Sequence, residues 1–165
     1  MEFLWSPWRY DYMASVTKVP GTEEKRRCVF CIGEDTSRDE ELLVLYRGSL
    51  NFVILNLFPY TTGHLMVAPC RHSNSLIEAP GDQTAEMMDL TKRSMKALTE
   101  VYHPEGFNVG MNLGHVAGAG VRDHFHLHVV ARWTGDSNFM TITGETRVIP
   151  EEIKTTFRRL KPHFS

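Results

Sequence analysis

Residues 124–128 read His-Phe-His-Leu-His, so three of the chain's eight histidines fall within five positions. Phe125, Leu127 and Val129 alternate with them, and Val130 follows. A period of two is the β-strand period, which puts the imidazoles on one face and the apolar side chains on the other. Neighbouring imidazoles on that face then stand about 7 Å apart, twice the strand rise per residue. Apolar side chains suit a core. Three ionisable rings in a row do not, because each buried ring needs hydrogen-bond partners or a metal. A lone strand histidine is ordinarily structural; this trio reads as functional.

Three strands are expected ahead of it, over 42–47, 50–58 and 63–69, with turns at Gly48-Ser49 and at 59–62. A long helix is expected over 82–102, with Asp82 as N-cap after Pro80-Gly81 and Pro104 just beyond its end. Met87, Leu90, Met95 (or Met88, Thr91), Leu98 and Val101 recur along it at helical spacing, as a core stripe does. Two more strands follow, over 107–113 and 124–133, and a short helix begins near Pro150 with Ile153, Phe157 and Leu160 turned inward. So few long crossovers favour an α+β fold: an antiparallel sheet of about five strands, helices against one face, and the histidines on the wet face.

A chain of 165 residues fits a single domain, divided here into an N-terminal arm over 1–27, a core over 28–133 and an extension over 134–165. A net charge of −2 argues against a general binder of nucleic-acid polymers or anionic membranes, while leaving room for a local phosphate pocket. No apolar run reaches the length of a membrane span, and the N-terminus lacks a signal-peptide layout. Three cysteines, two of them as Cys28-x2-Cys31, suit metal or redox use in a reducing compartment, so a cytoplasmic location is expected.

Neutral imidazole is a competent nucleophile near pH 7 and leaves well, which suits covalent acyl or phosphoryl transfer. A fourth histidine, His64, opens the third strand directly after Gly63. The loop over 114–123 brings Gly114, Gly118 and Gly120 close to the histidine strand, where backbone N–H groups can approach phosphate oxygens. The rival physical reading is a strand that only binds metal, since His-x-His plus a distant histidine is also how the zinc site of carbonic anhydrase is built. That reading leaves Cys28, Cys31 and the glycine loop without a use.

The segment 124-HFHLHVV-130 resembles the signature of the histidine triad (HIT) proteins, nucleotide hydrolases and transferases. The stretches 56-NLFPYTTGHLMVAPCRH-72 and 106-GFNVGMNLG-114 fit the same family. The flanks 4-LWSPWRYDY-12, 133-WTGDSNFM-140 and 143-TGETRVIP-150 resemble its diadenosine tetraphosphate phosphorylase branch. The resemblance implies that His126 attacks an α-phosphorus, that His128 hydrogen-bonds the reacting phosphate and that His64 supports the same site. It implies a ribose contact for Asn56 and a phosphate or leaving-group contact for Asn112. It further implies cleavage of a phosphoanhydride of a nucleotide substrate through a covalent nucleotidyl-histidine, with water or phosphate as the second acceptor left open, and a homodimer. Two positions depart from the family pattern. Gly120 stands where many members carry Gln or Ser to assist the leaving group, which leaves that task to backbone N–H groups, Arg122 or Asp123. Ala131 replaces a usual Pro. The alternative within the family is a nucleotide-binding regulatory module with weak turnover.

Cys28 and Cys31 supply two thiolates at knuckle spacing, and His72 is a third candidate ligand. In zinc-containing relatives the first triad histidine is the fourth ligand, here His124. Such a Cys2His2 shell is closed, so its zinc is expected to be structural. Cys70 reads as a packed strand-end residue.

Overall fold

The computed structural model describes residues 28–136 and 151–164. The arm over 1–27, with Trp5 and Trp8, and most of the extension's flanking motifs lie outside the described residues. Five strands form one sheet: β1 (Val44–Arg47), β2 (Asn51–Leu55), β3 (Leu65–Pro69), β4 (Gly106–Met111) and β5 (Leu127–Arg132). Their spatial order is β1-β2-β3-β5-β4, with every neighbour antiparallel. The expected strands are all present; β1 and β3 start two residues late, β2 and β5 are shorter at both ends, and β4 starts one residue early and ends two residues early. The long helix, α1 (Gly81–Tyr102), packs on β2, β3 and β5, and a short helix, α2 (Ile153–Leu160), follows near the C-terminus. No helix among the described residues is long and apolar enough to cross a membrane.

The start of α1 differs from the expectation. Pro80 is the N-cap and supplies no side-chain cap bond, while Asp82 lies in the first turn and accepts the N–H of Gln83. Proline preorganises the entry, and an acid in the first turn still complements the helix dipole. The helix ends at His103, which takes the left-handed conformation and donates its N–H to Thr99. Met87, Leu90 and Leu98 are buried as the stripe predicted, Met95 and Val101 are half-buried, and Ala97, Thr91 and Ser94 complete the buried face, the two hydroxyls bonding back to the carbonyls of Met87 and Leu90.

Glu86 ties α1 to the β1–β2 turn. Its carboxylate accepts the N–H groups of Ser49, Leu50 and Asn51 and the side-chain amide of Asn51, at 2.7–2.8 Å. A Cβ at Gly48 would lie 2.9 Å from that carboxylate and 2.8 Å from the Asn51 carbonyl, so the turn needs glycine. Phe157, Leu160 and Phe164 close the same side, and Lys161 donates to the carbonyls of Val44 and Leu45 on β1.

Every residue of β2 and β3 is buried, so both sheet faces are covered there. The expected wet face is therefore not open. On the side away from α1, the segment that begins at Cys28 lies over the sheet, with Phe30 packed on Phe52. Across the sheet on this side run Ile54, Met66, His128 and Gly110, in register on β2, β3, β5 and β4.

Candidate functional site

Sheet pairing begins only at Leu127, so His124 and His126 lie on the extended approach to β5 rather than within it. Phe125 donates its N–H to Ser73, which holds this approach beside the segment leaving β3. His124 is fully buried and His126 nearly so, while His128 is half-buried. The expected row of solvent-facing imidazoles becomes three rings in three settings.

His64 is placed by a tight turn. Gly63 has φ +74, and a Cβ there would come within 2.6 Å of Leu98 on α1. The next residue, buried His64, accepts the backbone N–H of Tyr60 at Nδ1, 3.1 Å away. That nitrogen must then lack a proton, so Nε2 carries it and donates to Nδ1 of His128 at 2.9 Å. His128 is left with Nε2–H as its remaining donor. The Asn56 amide adds a second donor to His64 Nδ1 at 3.3 Å, while its oxygen accepts the N–H of Phe58. Tyr60 also lays its ring over His64 and His128, with centroids 4.6 and 6.0 Å apart.

His126 donates from Nδ1 to the carbonyl of His124 at 3.0 Å, which leaves Nε2 as the nitrogen with a lone pair. Burial lowers the pKa of His126, against the His124 carbonyl, which raises it. Burial, and then the neighbouring His126, push His128 down to about 4. Both rings are therefore neutral at pH 7: His126 can attack and His128 can donate.

His126, His128, Asn56, Asn112, Gly118 and Gly120 line one cavity of about 560 Å³, a size suited to a small-molecule ligand. Its floor is apolar, with Leu43, Ile54 and Leu55. A second cavity of about 930 Å³ opens beside it, walled by Tyr102, Arg132, Trp133 and Arg159 among others. Tyr60, Asn112 and His128 line both. The glycine loop differs from a bare cradle: the N–H of Gly118, at φ +83, donates to His115 within the loop. His115 and Arg122 reach the same cavity from that loop.

Cys28, Cys31, His72 and His124 come together as the sequence proposed, their ligand atoms all within 4.8 Å of one another. Cys28 Sγ lies 3.5 Å from His124 Nδ1, and Cys31 Sγ lies 3.3 Å from His72 Nδ1. Around a tetrahedral zinc with ordinary bond lengths, a sulfur–nitrogen edge measures about 3.6 Å. His124 donates from Nε2 to the Pro69 carbonyl at 2.8 Å, the outer-shell bond that frees Nδ1 for a metal. Burial and the adjacent Cys28 raise the Cys31 pKa, a cost of crowding two thiols that a dication removes. The donor set, its spacing and its support all fit a metal ion. Cys70 stands apart and is exposed rather than packed.

Two residues escaped the sequence reading. Phe30, inside the cysteine knuckle, sets its ring at a tilt against His126, and Tyr60 fixes the tautomer of His64 through its main chain. Neither offers a motif: one acts through a ring any core aromatic could supply, the other through a backbone group.

The HIT domain family matches residues 38–135. A Mycobacterium tuberculosis protein named AP-4-A phosphorylase is 41% identical over 162 residues, covering 97% of this chain and 83% of its own. An adenosine 5'-monophosphoramidase from Schizosaccharomyces pombe is 28% identical over 127 residues, 77% of this chain and 90% of its own. Among solved structures, a zinc-bound histidine triad family protein from Mycobacterium smegmatis aligns with a TM-score of 0.65 at 30% identity, over 83% of this chain and 92% of that one. With its triad, its antiparallel sheet and these matches, the chain belongs to the HIT family.

Proposed function

We propose that this protein cleaves a phosphoanhydride of diadenosine tetraphosphate or a closely similar dinucleotide, with inorganic phosphate as the second acceptor. The observation that carries the reading is His126: a buried, neutral imidazole in the wall of a ligand-sized cavity, with Nδ1 engaged and Nε2 left for attack. The 41% identity to a protein named AP-4-A phosphorylase supports phosphate as the acceptor. Two cavities meeting at Tyr60, Asn112 and His128 suit a substrate with a nucleoside at each end.

In the first half-reaction the His126 Nε2 lone pair forms a bond to the α-phosphorus. The bond to the bridging oxygen breaks, its electron pair leaves with that oxygen, and ATP departs. Positive charge then rests on the substituted imidazole, where the His124 carbonyl at Nδ1 stabilises it. The Nε2–H of His128 serves a phosphate oxygen as charge grows there, and His64 holds that donor in place. In the second half-reaction a phosphate oxygen attacks, the N–P bond breaks, its pair returns to Nε2, and ADP forms. Asn56 takes the ribose hydroxyls, Asn112 a phosphate oxygen, and Gly118 and Gly120 the loop side of the phosphate path.

Cys28, Cys31, His72 and His124 hold a zinc ion in this reading. A closed four-ligand shell supplies no open coordination position, so the ion cross-links the knuckle to the approach to β5.

The test is incubation with diadenosine tetraphosphate with and without phosphate, products separated by chromatography. ADP plus ATP, formed only with phosphate, is expected. AMP plus ATP makes water the acceptor, and no turnover under either condition removes the enzymatic reading. His126→Ala should lose activity by many powers of ten, as loss of a covalent path does.

A further inference from the structure

The turn that brings the two cysteines to the metal cluster also carries Phe30, which is neither a ligand nor a polar partner of substrate. The turn is closed by the Cys31 N–H on the Cys28 carbonyl at 2.9 Å. Its ends are held where Cys28 meets His124 and Cys31 meets His72. Phe30, only 3% exposed, therefore has a fixed seat. Its ring centroid lies 4.6 Å from His126 at an interplanar angle of 40°, and 5.4 Å from His124.

One hydrogen bond does not fix an imidazole. The Nδ1 bond to the His124 carbonyl anchors one atom of His126 but lets the ring rock about that anchor. His128 meets the ring edge-on, with centroids 4.8 Å apart at 70°. Phe30 supplies a further, tilted ring contact that limits rocking. A benzene ring is also chemically suited to this place, since it has no donor that could occupy the Nε2 lone pair.

We propose that Phe30, carried on the 28–31 turn, is a positioning residue that holds the His126 ring in line for attack. The proposal rests on His126 as the nucleophile. Misplacing a reacting group by about 1 Å costs on the order of 100-fold in rate, so the lost contact should appear in kcat.

The experiment compares wild type, Phe30→Ala, Phe30→Leu and His126→Ala as purified metal-loaded proteins. It measures kcat and KM for diadenosine tetraphosphate with phosphate, metal per chain by elemental analysis, and melting temperature. Phe30→Ala should keep the wild-type metal content and lose about 10- to 100-fold in kcat, with KM changed by less than about threefold. Phe30→Leu refills most of the volume without the flat ring, and should lose only about three- to tenfold in kcat. A folded, metal-loaded Phe30→Ala with kcat within about twofold of wild type overturns the proposal. So does a rise in KM alone, which would make Phe30 a substrate wall, or a kcat loss that merely follows loss of metal. Should Phe30→Ala not fold, Phe30→Leu decides, and a wild-type kcat there overturns it. An active His126→Ala marks failure of the nucleophile itself; an inactive His126→Ala beside an unimpaired Phe30→Ala marks failure of the positioning role alone.

Discussion

His128 links the site's chemistry to the protein's stability, and the link can be measured. Its folded pKa is pushed down to about 4 from 6.5 by burial and then by His126. In the unfolded chain the ring takes a proton near pH 6.5; in the folded chain it does not until about pH 4. The unfolded state therefore binds more protons throughout that window, and stability falls as pH drops through it. The contribution is fully present above the unfolded value and levels off below the folded one. A displacement from 6.5 to about 4 corresponds to a loss of about 3 kcal/mol. That is an upper bound, since the ring is only half-buried and solvent screens part of it. Against a typical domain stability of about 5–15 kcal/mol, even half of it is readily detected. The perturbation is His128→Gln, which keeps a neutral hydrogen-bonding side chain but cannot titrate. Urea unfolding of both proteins at pH 7.5, 6, 5 and 4, all chosen only to span the window, gives the slope of stability with pH. Wild type should fall more steeply, with the gap opening below about pH 6.5. His124 and any bound metal contribute equally to both proteins and cancel in the difference, whereas His126, coupled to His128, is part of what the difference reads. Parallel lines from pH 7.5 to pH 4 would refute the argument that burial holds this ring neutral.

Three further outcomes are expected. His124→Ala should lose most of its metal and melt at a lower temperature, whereas His128→Ala should lose activity and keep the metal; elemental analysis of both separates the two histidines' jobs. Asn56→Ala should raise KM for ribonucleotides and narrow the gap to 2′-deoxy analogues; an equal fall in kcat for both series would instead assign Asn56 to orienting His64 through its 3.3 Å bond. Glu86→Ala strands the turn N–H groups and removes one of the two bonds that the amide of fully buried Asn51 donates, and should destabilise the fold by about 3 kcal/mol in denaturant titration, with kcat nearly unchanged in the protein that remains folded.

The strands and long helix were legible because alternation and helical spacing report burial directly, as Met87, Leu90 and Leu98 illustrate. The Cys2His2 cluster was legible in two steps: the cysteine spacing with His72 at the end of the third strand, and a family resemblance that nominated His124. The setting of the histidines was not. Alternation over 124–128 says which side chains share a side, but not where pairing begins or what covers that side. Pairing begins at Leu127, and the cover comes from a segment nearly a hundred residues earlier in the chain. The glycine loop shows a similar gap, since composition cannot reveal that the Gly118 N–H is already given to His115.

The run of bonds from the Tyr60 N–H through His64 to His128 has a direction, and that direction works as a filter. A main-chain amide cannot reverse its proton, so His64 must pass a hydrogen to His128, and His128 must face the cavity with hydrogen rather than a lone pair. The pocket wall at His128 can greet a bare phosphate oxygen and has nothing to offer an ammonium or guanidinium. Selection by ionisation state is thus set by the main chain of a turn four residues from His64, where changing the Tyr60 side chain alone would leave it intact. A residue without an amide hydrogen at position 60 would remove the shorter of the two bonds to His64 Nδ1 and leave the Asn56 amide alone to hold the polarity of the run.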